Sequence, residues 1–143
     1  MIKPPVPTEE QEMMALAGWL DAVLGFYCWI HVPNESRRPM RERIGKDGRV
    51  HRYCPQTQRL KRQGLKPGFP DVMILVPPSR LPVAAGNPQY RGAAIELKRS
   101  DRKGKATPEQ IVWLDALRDW GFAAQVCHGA DEAIAWVKEI GYP

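Results

Sequence analysis

The stretch Ala93-Ala94-Ile95-Glu96-Leu97-Lys98 decides how this chain is read. It has the composition of a strand fit for burial, yet it carries a carboxylate and an ammonium two residues apart. Side chains alternate along a strand that rises ~3.3 Å per residue, so Glu96 and Lys98 project side by side, with Cα atoms roughly 6.6 Å apart. Ile95 and Leu97 go to the other face. A salt bridge on an edge strand would account for the pair taken alone. Asp71 points further, because it too borders a short apolar run, Val72-Met73-Ile74-Leu75-Val76, and follows Gly68-Phe69-Pro70, a turn that fixes its direction. Two acids about 5 Å apart repel by on the order of 3 kcal/mol at an effective dielectric of about 20, and one lysine offsets only part of that. A divalent cation removes the conflict. Magnesium takes oxygen ligands and keeps several waters, so two carboxylates and substrate phosphate oxygens suffice to hold it.

Working outward, the two runs read as strands over 71–76, closed by Pro77 and Pro78, and over about 92–98. The stretch between them, with prolines at 77, 78, 82 and 88, reads as a loop at the sheet edge. Upstream, Thr8 caps a helix whose first turn holds Glu9, Glu10 and Glu12, where the helix dipole favours acids. Met13, Leu16, Leu20, Val23 and Leu24 give its apolar face, ending near Gly25. Phe26 to Val32 reads as a strand stopped by Pro33. Downstream, Thr107 and Pro108 start a helix to about Trp120, with Ile111, Leu114 and Leu117 inward and Gly121 closing it. Phe122 to Cys127 is the next strand. A last helix over about 130–140 packs through Ala133, Ile134 and Val137. The order predicts an α/β fold, a mixed central sheet flanked by helices, in one domain over residues 1–143.

That domain carries a basic insertion over about 35–68, expected to be loop with one hairpin around Lys46-Asp47-Gly48. The chain's net charge is +5, and the excess is concentrated here, with Arg37, Arg38, Lys61, Arg62 and Lys66 among its cations. Such a segment neutralises phosphates and releases their counterions, or else is a solvated loop. The 143 residues, 43% hydrophobic and 26% charged, suit one globular core. There is no apolar run long enough for a membrane span and no secretory leader, so a cytoplasmic location is expected. Cys28, Cys54 and Cys127 form an odd set without paired spacing and read as reduced thiols. His51 and Cys54 have ligand-like spacing, but no second pair stands nearby to complete a zinc site.

The pattern Gly68-Phe69-Pro70-Asp71, a gap, then Ile95-Glu96-Leu97-Lys98 resembles the PD-(D/E)xK nuclease signature. Together with Asn34, Gly64-Leu65-Lys66-Pro67 and Pro108-Glu109-Gln110, in order and spacing, it is similar to the virus-type replication-repair nuclease (VRR-NUC) domain. The resemblance extends from about Thr8 to Tyr142. It implies a restriction-endonuclease-like core and hydrolysis of DNA phosphodiesters with Mg2+, or Mn2+ in its place. It implies Asp71, Glu96 and the Leu97 backbone carbonyl as metal ligands, with Lys98 assisting attack. A first-helix glutamate joins them: Glu12, on the face of Leu16 and Trp19, with Glu9 as rival one turn earlier. Gln110 would contact the catalytic lysine or a water, although capping Thr107 explains it equally. Asn34 would lie near substrate, although a turn asparagine explains it too. Stand-alone members imply a homodimer acting on branched DNA such as four-way junctions. A flap or restriction-like nuclease, or a DNA-binding protein without catalysis, are the other readings.

Overall fold

The structure, a computed structural model, describes residues 4–33, 39–78 and 90–143. The elements in chain order are α1 (Glu9–Val23), β1 (Trp29–His31), β2 (Arg41–Ile44), β3 (Val50–Tyr53), α2 (Pro55–Arg62), β4 (Val72–Ile74), β5 (Ala93–Lys98), α3 (Pro108–Asp119), β6 (Ala123–His128) and α4 (Ala130–Glu139). They divide into two compact units, Met1–Val32 with Gly68–Pro143, and Pro33–Pro67.

The first unit is an α/β layer structure. Its sheet has the order β1-β4-β5-β6, antiparallel from β1 to β5 and parallel between β5 and β6. Alternation along the strands sorts the core onto two faces. Val72, Ile74, Ala93, Ile95, Leu97 and Cys127 pack against Leu16 and Leu20 of α1 and Ala133 and Val137 of α4. Met73, Ala94 and Ala124 pack against Leu114 and Leu117 of α3. Among the described residues no helix is long and apolar enough to cross a membrane, and all three cysteines are free thiols.

Local chemistry explains the helix starts. Thr8 and Gln11 form a capping box on α1, and Thr107 and Gln110 form another on α3, each satisfying two backbone donors that a helix leaves open. Three expectations need correction. The strand predicted over 26–32 shrinks to Trp29–His31, because residues 24–28 are bound into turns: the N–H groups of Leu24 and Gly25 both reach the Leu20 carbonyl, and Cys28 N–H reaches Gly25. Phe26 and Tyr27, whose aromatic character suggested a strand, are instead exposed. Ile111, expected inward, is also exposed. The buried stripe of α3 is Gln110, Leu114 and Leu117, spaced i, i+4, i+7, which turns Ile111 outward.

The third correction concerns the second unit. The hairpin at Lys46-Asp47-Gly48 forms as expected, with Ile44 opposite Val50 and Arg41 opposite Tyr53. The segment after it is not loop but α2, which buries no residue. A helix polar all round has no apolar period to announce it. Its one local signal is Pro55 at the first turn.

Candidate active site

The turn Gly68-Phe69-Pro70 aims Asp71. Gly68 has φ +78°, and a Cβ there would lie 2.9 Å from the Gln110 backbone nitrogen, so only glycine lets this turn seat on the first turn of α3. Phe69 stacks edge-on against Trp113 of that helix, centroids 5.0 Å apart. The Asp71 carbonyl accepts from Val32 N–H at 2.7 Å and lies 2.9 Å from His31 Nδ1. Its carboxylate Oδ2 accepts the Leu97 N–H at 2.8 Å. Asp71 is thus held by backbone on one side and by β5 on the other.

Register then sets the acids together. β4 pairs with β5 with Val72 opposite Ile95, and one further step of the same ladder sets Asp71 opposite Glu96. Directly opposed residues in an antiparallel pair share a face, with Cα atoms about 4.5–5.5 Å apart. The next step sets Pro70 opposite Leu97. Proline has no N–H, so it cannot donate to the Leu97 carbonyl. The Lys98 carbonyl accepts from Gly129 on the β6 side, and alternation turns the Leu97 carbonyl the other way, toward Asp71. The paired ladder thus ends at Val72 opposite Ile95, and Pro70 has no N–H with which to extend it.

Glu96 is 1% exposed and Lys98 7%. Both lie on the α3 side of the sheet, since Ile95 and Leu97 belong to the opposite core. Lys98 Nζ stands 2.8 Å from Glu96 Oε1, and Gln110 Nε2 donates to the same oxygen at 2.5 Å. The Gln110 Oε1 meanwhile accepts the Thr107 N–H at 2.7 Å. One end of the Gln110 amide thus caps α3, as one expectation had it, and the other holds Glu96, a contact the sequence reading did not name. A buried ion pair on a sheet is a poor source of stability, because desolvation of both ions consumes most of their attraction. Its placement asks for a chemical reason.

The residues fit a hard cation. Two opposed carboxylates and a carbonyl that its strand neighbour cannot engage form an all-oxygen donor set of the kind Mg2+ or Mn2+ takes. Among the described residues no three His, Cys, Asp or Glu side chains gather as a metal cage, so the remaining ligands would be carbonyl, water and phosphate oxygens. Two glutamates of α1 are candidates for the expected third acid. Glu12 is buried, but its Oε2 accepts the Ala130 N–H at 2.9 Å, on the first turn of α4. Glu9 shares a neighbour with the lysine: its Oε1 and the Lys98 Cδ are both within 4 Å of the point a Gly104 Cβ would occupy.

Sequence reasoning overlooked His128. It stands opposite Lys98 in the parallel ladder, with Nε2 3.2 Å from the Gly104 carbonyl and Nδ1 3.7 Å from Glu132. A polar residue ending an apolar strand just before a glycine was its available signal. Of the expected DNA contacts, Lys61, Arg62 and Lys66 are exposed in the second unit, whereas Asn34, Arg37 and Arg38 lie outside the described residues.

The profile of the VRR-NUC domain matches residues 9–131 of this sequence. The solved structure of a "VRR_NUC domain protein" superposes with a TM-score of 0.64 at 22% identity, over 99% of this chain and 94% of that chain. The likeness is one of fold. No curated protein matches the sequence.

Proposed function

From a chain that belongs to the VRR-NUC domain family, and is therefore a nuclease of the PD-(D/E)xK type, we propose a Mg2+-dependent endonuclease that cuts branched DNA as a homodimer. The observation carrying the site assignment is the buried Glu96, Lys98 and Gln110 cluster with half-buried Asp71 beside it, an arrangement that costs stability and that hydrolysis of a phosphodiester explains.

Asp71, Glu96 and the Leu97 carbonyl would hold the cation, which when bound supplies Lewis-acid polarisation of the scissile phosphate. The protein's own groups do the rest. Gln110 and Lys98 share one Glu96 oxygen, which fixes the carboxylate's rotamer. The Lys98 ammonium, nearly dry, orients the attacking water and stabilises negative charge as it grows on the phosphoryl oxygens. Low local dielectric makes that charge worth more than it is in water. Glu9, beside Gly104 and the Lys98 stem, is better placed than Glu12 to reach a water or phosphate at this site. Glu12 is committed to the α4 backbone.

The basic second unit would hold phosphates through Lys61, Arg62 and Lys66. Read as a holder of backbone phosphates, it favours selection by DNA shape over a long base sequence. Exposed Phe26, Tyr27 and Ile30 beside the edge strand β1 supply an apolar surface for a two-fold contact. The decisive experiment incubates the protein with a four-way junction, a flap and a linear duplex, with Mg2+, Mn2+ or EDTA, while light scattering gives its mass. Junction cutting that needs the metal and drops about 10^2–10^4-fold in Asp71→Ala, with binding retained, is the expected result. Binding without any cutting in the unaltered protein would leave only a DNA-binding role.

A further inference from the structure

The β2–β3 hairpin ends in an apolar pair that no core explains. Ile44 and Val50 are opposite each other in the last rung before the turn, and they are 77% and 62% exposed. Opposed residues share a face, so one side of the hairpin carries Ile44 with Val50 at the tip and the Glu42–Arg52 ion pair, at 2.8 Å, behind them. The other side carries Arg41, Arg43, His51 and Tyr53, with the Arg43 guanidinium 5.5 Å above the Tyr53 ring.

The tip is stiff. Asp47 Oδ1 accepts the Arg49 N–H at 3.1 Å and lies 3.2 Å from His51 Nε2. Gly45 and Arg49 are joined by a backbone bond of 2.8 Å, and Gly48 supplies φ +72°. A Cβ at Gly45 would fall 2.6 Å from His51 Nε2, so a larger residue there would displace the Asp47 and His51 side chains. The one acid of the turn is spent on this closure. What the tip shows outward is Lys46 and Arg49 around Ile44 and Val50.

We propose that this hairpin is a wedge for nucleic acid: its apolar tip enters an opened base step at a DNA branch point while the flanking cations hold the phosphates. Charge complementarity selects the partner. The hairpin carries Arg41, Arg43, Lys46, Arg49 and Arg52 against Glu42 and Asp47, an excess that repels a second copy of itself and attracts a polyanion. Apolar side chains between base steps, flanked by cations on the backbone, are a known way to stabilise distorted DNA. The pre-set turn lowers the ordering cost of insertion. The proposal rests on the DNA reading above and supplies its substrate preference.

The test uses a four-way junction with 2-aminopurine at the branch, titrated with the full chain in EDTA so that cutting plays no part. The unaltered protein should raise the fluorescence as the base unstacks. The double variant Ile44→Ser with Val50→Ser should lose that rise and bind the junction about tenfold more weakly, while linear duplex affinity stays within about twofold. Ile44→Leu with Val50→Leu should restore both, separating an apolar requirement from a folding defect, with circular dichroism as the check. A rise that survives the serine variant, a rise absent from the unaltered protein, or a lower mass of the serine variant by light scattering would each overturn the wedge. Unstacking by a protein that cuts nothing in Mg2+ would keep the wedge and remove the nuclease reading.

Discussion

The charges on β5 and the charges on the β2–β3 hairpin behave as opposites. Glu96 and Lys98 are sealed between a sheet and a helix, each with a fixed partner. Arg41, Arg43, Arg49 and Arg52 stand in water, and the Arg52–Glu42 ion pair is more than half exposed on both sides. The first region spends stability to hold a geometry. The second spends almost none, since exposed ion pairs are worth little and are screened by salt. What this teaches is that a buried charge must be given fixed partners, whereas exposed charges act together through a field that salt screens.

The sharpest way to break the comparison is to remove the buried pair. Lys98→Met should lower cutting about 10^2–10^4-fold and destabilise by about 3–5 kcal/mol, because Glu96 is left buried without its cation. Glu96→Met with Lys98→Met should be equally inactive, yet recover to within about 1 kcal/mol of the original stability or exceed it. Urea melts beside single-turnover cutting decide this. A double variant less stable than the single one would mean that the pair is structural.

Titration sharpens it next. Burial pushes the Cys127 thiol up to about 12 from an ordinary 9.0, with the Glu132 charge adding to the shift. Above pH 9 the unfolded chain releases this proton while the folded one keeps it, so stability is full below that pH and falls as pH rises toward 12. The slope tends to about 1.4 kcal/mol per pH unit, and Cys127→Ala should flatten it in melts from pH 8 to 11. Asp47, on the exposed hairpin, shifts the other way: the Arg49 N–H and His51 hold its carboxyl below the ordinary 3.8. Its contribution is present above that value and is lost as pH falls through the depressed pKa.

Two of the three glutamates of α1 come third. Glu12→Gln should cost about 1–3 kcal/mol of stability, since the carboxylate's bond to α4 is weakened, and leave turnover at saturating DNA nearly unchanged. Glu9→Gln should do the reverse, lowering turnover about tenfold with melting unchanged within about 0.5 kcal/mol. The reverse pattern would return Glu12 to the reacting centre. The smallest effect is expected at the surface: Lys61→Ala should weaken every DNA alike and reduce the slope of log K against log salt by about 1, with no change in stability beyond about 0.5 kcal/mol.

Much of the site was legible along the chain. Glu96 and Lys98 stood out because charge on an apolar strand is anomalous wherever the strand is placed, and period 2 put both on one face. Asp71 followed from the same logic, whereas Gln110 came from the family resemblance, with capping of Thr107 as the competing explanation. The small elements were harder. Phe26 and Tyr27 carry strand-like side chains but sit in turns, and α2 has no apolar stripe to give a period. Glu9, Glu10 and Glu12 were indistinguishable by dipole reasoning, because all three occupy the first turn of α1.

By itself, then, the sequence determined which segments could be buried, where helices begin, and which charged side chains would have to share one face of a strand. These follow from alternation, capping and the cost of desolvation, all of which act over a few residues. The tertiary structure alone decided that Asp71 takes the Leu97 N–H, that Gln110 and Lys98 share one Glu96 oxygen, that Glu12 turns to α4, and that Ile44 and Val50 meet at an exposed tip. Each of these depends on strand register or helix docking between residues far apart in the chain, and no local preference fixes a register.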